Sequence, residues 1–576
     1  MDRSHITPEH LTFHLFGLLA MLLSAVGLAH ASGDRLRTTP PPEPVRIPAE
    51  FEPMQAVIID WMRDADPALY RSLADDARVI ILLGPDQSSE EIERRFAEYG
   101  VNMGNCEFVE VSYRPWERDG LPWFLFTERS VPAFVHNQPV TGDWSIPQYG
   151  LAQGYPVYRS GLNVHGGDFM TDGQGTAASL DDTAIRHAAM GDEFMERVRD
   201  YWGVQTYLFV PDENDKYYHI DCMAKLLSPD TVMVLRLPSS HDDHACLEGA
   251  AAYFRRQVSC YGTPYNVVRV DARKDEPYIN SLIVNHRVYV PIVDSEADAV
   301  ALANYEAAMP GYEVVGVYNG SRAGMTYWSS GAALHCSSMG IADEQMLYIE
   351  HTPLLDRPPA SQGFPITARI VAHSQTEYVD GTPVVLWRAP ADANEPQAET
   401  SASWSILPMI RVAELGDDQY QADIPSQPVG TVVQYYLQAK DASGRDETHP
   451  YIGEPQAHTF TVTTVGADVS AVSAQRGGSI EIYMNGGLDN AQQRYRLAYS
   501  LSADSELTES ARTALPDTTI FDGFDGQLDD AGIGAAGMTL VGPLTSDWVG
   551  TTIRLSLELP DQQDAVLDTV SIQILD

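Results

Sequence analysis

The chain has 576 residues, more than one hydrophobic core normally organises, so two to four domains are expected. Its 44% hydrophobic content is that of a packed globular protein and excludes a disordered chain. The formal charge of −43 speaks against nucleic acid as a partner, and a complement of only four lysines (Lys216, Lys225, Lys274, Lys440) reads as surface-wide acidity that keeps an exported protein soluble.

In chain order, the apolar run Leu11 to Leu28 follows Arg3 and ends at the small-x-small triplet Ala29-His30-Ala31. This is the pattern of a secretory signal peptide over residues 1–31, so a secreted protein is expected, periplasmic, cell-surface or extracellular. No later run approaches the roughly 20 apolar residues of a spanning helix. Residues 32–46 are a proline-rich leader, expected to be extended and mobile, with order beginning near Arg46. From 47 to 356 strand patterns at 55–61, 106–111, 204–210, 231–237, 266–270 and 287–292 alternate with helical ones at 193–201 and 246–257. Ser88 and Glu91 have the spacing of a helix capping box. This region is mixed α/β. Residues 353–365 read as a linker. Alternating strands with an Asp441-Ala442-Ser443-Gly444 turn then predict an immunoglobulin-sized β-sandwich over 357–465, and a third, all-β domain fills 466–576.

The chemistry-bearing residues recur. Asp119, Asp168, His219 with Asp221, Asn280 and Cys336 follow one another at intervals of about 50 to 60 residues, the mark of a ring or array built from one supersecondary unit. If His219-Ile220-Asp221 is a strand, His219 and Asp221 share a face and Cys222 turns into the packed layer. Adjacent residues on an extended segment point apart, so His335 is a poor base for Cys336 and His219 the better one. Asp119 and Asp221 would form a two-carboxylate clamp, which suits a planar guanidinium. Asp168 reads as a further contact or as a turn acid. His241-Asp242-Asp243-His244 lacks a third ligand group, and no metal is expected there or at Asp522 to Asp530. Of the five cysteines one is odd. With Cys336 unpaired, Cys106, Cys222, Cys246 and Cys260 could pair in three ways or remain reduced.

Together Arg118-Asp119 with Pro122-Trp123-Phe124, Gly166-Gly167 with Met170-Thr171-Asp172-Gly173, His219-Ile220-Asp221, Tyr278-Ile279-Asn280-Ser281-Leu282 and Leu334-His335-Cys336 resemble the bacterial, Porphyromonas-type peptidylarginine deiminases and the related agmatine deiminases. The segment from Gln434 to Pro450 is similar to the immunoglobulin-like domain that follows the catalytic one in the peptidyl enzymes. The resemblance implies a five-bladed α/β propeller, the pentein fold. It implies Cys336 as nucleophile, His219 as general acid/base, Asp119 and Asp221 on the guanidinium, and Asn280 as a further substrate-site residue, with no metal or organic cofactor. The substrates it implies are arginine-containing peptides or proteins, turned to citrulline. Agmatine converted to N-carbamoylputrescine is the alternative, and a catalytically silent adhesin or binding scaffold the rival from another class. The peptidyl enzymes that act on C-terminal arginine grip its carboxylate with two arginines. The corresponding residues 136–143 hold none, and Arg159 is the candidate to replace them.

Overall fold

A computed structural model of the chain describes residues 36–62, 67–84, 87–110, 117–137, 150, 153–213, 216–274, 276–322, 325–326, 328, 333–360, 362–390, 403–502, 519–545, 548–562 and 565–576. The expected signal peptide lies outside them, as do residues 138–143. Among the described residues no helix is long and apolar enough to cross a membrane.

Up to Ala342 the architecture is mixed α/β and mostly strand, organised in small sheets with one shared plan: an antiparallel pair, then a crossover, then a parallel strand. The clearest case runs Ala224–Ser228, Thr231–Arg236, helix His244–Arg255, Asn266–Asp271. Leu282–Val284, Arg287–Ile292, helix Asp298–Ala308 and Glu313–Tyr318 repeat it. So do Met170–Thr171, Thr176–Leu180, helix Asp192–Trp202 and Thr206–Val210. Trp123–Thr127 pairs antiparallel with Val131–His136, which takes Val157–Arg159 as its parallel neighbour. The remaining sheet draws on both ends of the region. Ser338–Ala342 lies antiparallel to Met54–Asp60, which continues in parallel to Arg78–Leu83 and Cys106–Glu110. The two central strands carry near-continuous apolar runs (Val57, Ile58, Ile59; Val79, Ile80, Ile81) because both of their faces are buried.

Two local expectations fail. Ser88 begins the helix Ser89–Tyr99 but its side chain makes no capping bond, so the Ser-x-x-Glu spacing does not form a box. The leader is attached from Leu36 onward: Leu36–Arg37 adds a parallel strand beside Val157, the Pro42 carbonyl accepts the Thr127 hydroxyl, and Arg46 bridges to Phe126. Backbone pairing along a sheet edge holds a proline-rich segment that has little apolar surface to bury.

After Ala342 the helices give way to sheets. Phe364–Ala372, Gln419–Ile424, Ile410–Arg411 and Leu347–Glu350 form one, and Val384–Arg388, Ser405–Pro408, Val432–Lys440, Asp446–His449 and His458–Thr461 the other. Val432–Lys440 alternates strictly, turning Val433, Tyr435, Leu437 and Ala439 into a core shared with Phe364, Ile366 and Phe460. Leu347–Glu350, which precedes the expected boundary at 356, pairs with Phe364–Ala372 and contributes Leu347 and Ile349 to that core. The last sheet, from Val465 to Leu575, packs a separate cluster around Ile480, Ile482, Leu555 and Ile572.

Candidate active site

Each of the spaced polar residues stands just before the antiparallel edge strand of a sheet. Asp119 precedes Trp123–Thr127, Asp168 precedes Met170–Thr171, Asp221 precedes Ala224–Ser228, Asn280 precedes Leu282–Val284, and Cys336 precedes Ser338–Ala342. Residues 100 or more positions apart thereby meet. The Cys336 thiol donates to Asp221 Oδ2 at 3.4 Å, and Asn280 Nδ2 donates to the sulfur at 3.2 Å. His219 Nδ1 lies 3.8 Å from Asp119 Oδ2. Gly167 marks where these groups converge. A side chain there would come within 2.8 Å of His219 Nδ1, 3.1 Å of Asp119 Oδ1 and 3.2 Å of Asp221 Oδ2, so only glycine lets the backbone approach, and its amide donates to Asp119 at 2.9 Å. Asp119, His219 and Cys336 line a cavity of about 640 Å³, together with the exposed Lys216, Tyr218, Asp242 and Lys274 and the half-buried Glu276.

Asn280 shapes the cysteine loop. Its Oδ1 accepts the amides of Ala333, His335 and Cys336 at 3.0, 3.0 and 3.2 Å, while Nδ2 reaches the sulfur and the Asp221 carbonyl. It is fully buried. One amide side chain thus fixes the approach of the thiol.

His335 does not serve Cys336, as its neighbouring position on the chain implies, but the structure gives it another partner set. Its Nδ1 meets Asp221 Oδ2 at 2.7 Å and its Nε2 meets Glu50 Oε2 at 2.6 Å, while Lys225 donates to Glu50 at 2.9 Å. Burial would raise the Asp221 carboxyl, but the hydrogen bond and charge of His335 outweigh it and hold the group down at about 2. In the same way Glu50, fully buried, is held well below its ordinary value by His335 and Lys225 against the effect of burial. Asp119 has weaker support, and burial raises it despite His219 and the Gly167 amide. The two carboxylates, Asp119 on the cavity and Asp221 beneath the Cys336 sulfur, are therefore unequal.

The expected strand at His219-Ile220-Asp221 is instead a 3₁₀ turn over Ile220–Cys222, entered through Tyr218 at φ 61°. With three residues per turn, consecutive side chains fan out rather than alternate. Cys222 therefore lies at the cavity and not in a packed layer: its thiol donates to Asp221 Oδ1 at 3.5 Å. Contact with Cys336, then burial, then Asp221 push that thiol well above its ordinary value.

Two other expected contacts are placed elsewhere. Asp168 is fully buried and accepts the Leu180 amide at 2.9 Å, the Thr183 hydroxyl at 2.7 Å and Arg186 at 3.0 Å. Burial raises it to about 6 against those bonds, and its oxygens are committed to the turn and helix that follow, which makes it the turn acid rather than a substrate contact. Arg159 ends a strand beside His136 and is not among the residues lining the cavity. Residues to which the sequence alone assigned no part in the site also belong here: Glu50, Cys222, Arg118, whose Nε donates to the His335 carbonyl at 2.6 Å, and His165, whose Nδ1 lies 2.9 Å from His219 Nε2. Burial, and then the neighbouring His219, bring the His165 imidazole down to about 4. All five cysteines are free thiols.

A buried thiol held against a carboxylate, on a cavity that also carries an aspartate and an imidazole, is the equipment of the guanidino-group-modifying deiminases, and the chain is an enzyme of that class. The sequence model of the Porphyromonas-type peptidyl-arginine deiminase family matches residues 46–341, and the chain belongs to that family. It is 24% identical over 371 residues to the agmatine deiminase of Pseudomonas aeruginosa, covering 52% of this chain and 96% of that protein. With the agmatine deiminase of Pseudomonas putida it shares 22% over 372 residues, covering 52% and 96%. The solved agmatine deiminase of Enterococcus faecalis superposes on 53% of this chain and 98% of its own, with a TM-score of 0.46 and 18% identity.

Proposed function

We propose that the chain converts arginine in peptides or proteins into citrulline and ammonia. The observation that carries this reading is the placement of Cys336 against Asp221, with Asp119 and His219 on the same cavity. Asp119 and Asp221 clamp the guanidinium through paired N–H bonds. Cys336 passes its proton to His219 and the thiolate adds to the guanidinium carbon; ammonia then leaves with that proton from His219, and an amidino-thioether remains. His219 then takes a proton from water, whose oxygen adds to the same carbon. Expulsion of the thiolate completes the ureido product, with water consumed and ammonia released.

Support for a substrate bearing a main-chain carboxylate comes from Lys216 and Lys274, two of the four lysines in the chain, which both line the cavity. They supply cations that residues 136–143 lack and Arg159 is not placed to give. The names of the relatives favour a second reading, agmatine as substrate, and Asp242 and Glu276 on the cavity suit its distal amine. In this proposal the five sheets are the blades of a pentein propeller over 47–356. An immunoglobulin-like domain over 357–465 and a C-terminal β domain over 466–576 follow, in a protein exported through residues 1–31.

The test offers the full chain a C-terminal-arginine peptide, an internal-arginine peptide, free arginine and agmatine, and measures ureido product and ammonia. Turnover of peptides that vanishes in Cys336→Ala is the expected result. Turnover of agmatine alone establishes the second reading, and no turnover of any of them leaves the binding scaffold.

A further inference from the structure

Asp221, Cys222 and Cys336 present ligand atoms that all lie within 4.8 Å of one another, and all three residues are buried. The carboxylate-to-sulfur distances are 3.4 Å to Cys336 and 3.5 Å to Cys222. A tetrahedral zinc ion, with bonds of about 2.3 Å to sulfur and about 2.1 Å to oxygen, has sulfur–oxygen edges of about 3.6 Å. Cys336 stands 3.4 Å from Asp221 Oδ2 and Cys222 3.5 Å from Asp221 Oδ1, each close to that edge length, and the carboxylate and both sulfurs fit within one coordination sphere. The supporting shell is present too: His335 holds the Asp221 carboxylate at 2.7 Å, and Asn280 donates to the Cys336 sulfur at 3.2 Å. Both cysteines line the cavity, which also carries Asp242, Asp243 and Glu276.

We propose that Asp221, Cys222 and Cys336 form a binding site for a thiophilic divalent cation, of which zinc is the representative, and that its occupation silences the Cys336 thiol. Binding replaces two thiol protons by one metal ion: the two S–H bonds break, two S–metal bonds form, and two protons pass to solvent. The site goes beyond the deiminase reaction, which needs no metal in it. Nothing in the reaction requires Cys222, and an alanine or serine there would leave a single thiol and no chelate.

The test is zinc binding to the full chain by calorimetry, together with the near-ultraviolet spectrum of the cobalt(II) form and the rate at which iodoacetamide alkylates Cys336. The expected results are one ion per chain, a thiolate-to-cobalt charge-transfer band, and alkylation slowed by zinc. Cys222→Ser should weaken binding by more than about 100-fold. His165→Asn should leave binding within a few-fold, because Asp119, His165 and His219 form a rival group whose ligand atoms also lie within 4.8 Å of one another. A cobalt spectrum without the thiolate band, binding unchanged in Cys222→Ser, or binding lost in His165→Asn would each overturn the proposal. The spectrum and the alkylation rate are read on the unaltered chain and hold even where a variant fails to fold.

Discussion

Asn280 is the point at which the loop carrying the nucleophile can be tested most directly. Replacing it by alanine removes the acceptor for three amides. The His335 amide retains the Asn280 carbonyl at 3.2 Å, but those of Ala333 and Cys336 lose the Oδ1 contact that the structure gives them. A buried donor left without its partner costs about 1–3 kcal/mol, so Asn280→Ala should destabilise the loop by about 2–6 kcal/mol. At 1.4 kcal/mol per factor of ten, the amides of 333 and 336 should exchange with deuterium between roughly 30-fold and 10,000-fold faster. Asn280→Asp separates two roles: it keeps an acceptor for the amides and loses both donors, to the Cys336 sulfur and the Asp221 carbonyl. It should leave exchange within about tenfold of the unaltered chain while kcat/KM falls by about 100-fold, a loss of about 2.7 kcal/mol in transition-state stabilisation. Hydrogen-exchange mass spectrometry of the peptide spanning 333–338, beside steady-state kinetics, reads both. Unchanged exchange in Asn280→Ala would refute the templating argument.

Asp168→Ala should lower stability by about 1–3 kcal/mol, because it leaves the buried Leu180 amide and the Thr183 hydroxyl without their acceptor while Arg186 keeps Asp182 at 2.8 Å, and KM should stay within about twofold. A tenfold rise in KM with unaltered resistance to proteolysis would restore Asp168 as a substrate contact. Asp221, held at about 2 against an ordinary 3.8, keeps its charge in the folded chain at a pH where the unfolded chain has taken up the proton. Its contribution is complete above about pH 4 and is lost as pH falls towards 2, amounting to about 2 kcal/mol. The gap in protease resistance between the unaltered chain and Asp221→Asn should close over that window, and a gap that stays constant with pH contradicts the assignment.

Much of this architecture was legible because one pattern recurs. Asp119, Asp168, Asp221, Asn280 and Cys336 each precede the antiparallel edge strand of a sheet, and the spacing between them is about the length of one sheet with its crossover. Alternation in Val432–Lys440 likewise displayed its own inward face. What stayed hidden depended on contacts that no local pattern records. Glu50 sits in a stretch with no chemical motif, and becomes important only because His335 and Lys225, 285 and 175 positions away, close on it. The misplacement of Cys222 has a smaller cause: a three-residue turn after a residue at positive φ replaced the strand that the alternating pattern of His219 and Asp221 suggested. Signals for such a turn are weak when the residue at positive φ is a tyrosine rather than a glycine. Asp168 shows the converse, since its spacing matched the other four residues but the Thr183 hydroxyl and Arg186 claimed its oxygens.

The pairing of Ser338–Ala342 with Met54–Asp60 sets an order of events for a chain emerging from the ribosome. Met339 faces Ile58 across almost three hundred residues, so the strand that follows the nucleophile is also the last piece of the sheet begun near the N-terminus. Until it arrives, the edge of Met54–Asp60 lies open with its backbone groups unpaired and Val57, Ile58 and Ile59 uncovered, an invitation to wrong partners. A loop of that length closes late and slowly. The thiol can reach Asp221 and Asn280 only after this closure, so a nascent or truncated chain ending before residue 338 has no assembled site. The same seam that completes the fold delays the reactive group until the molecule around it exists.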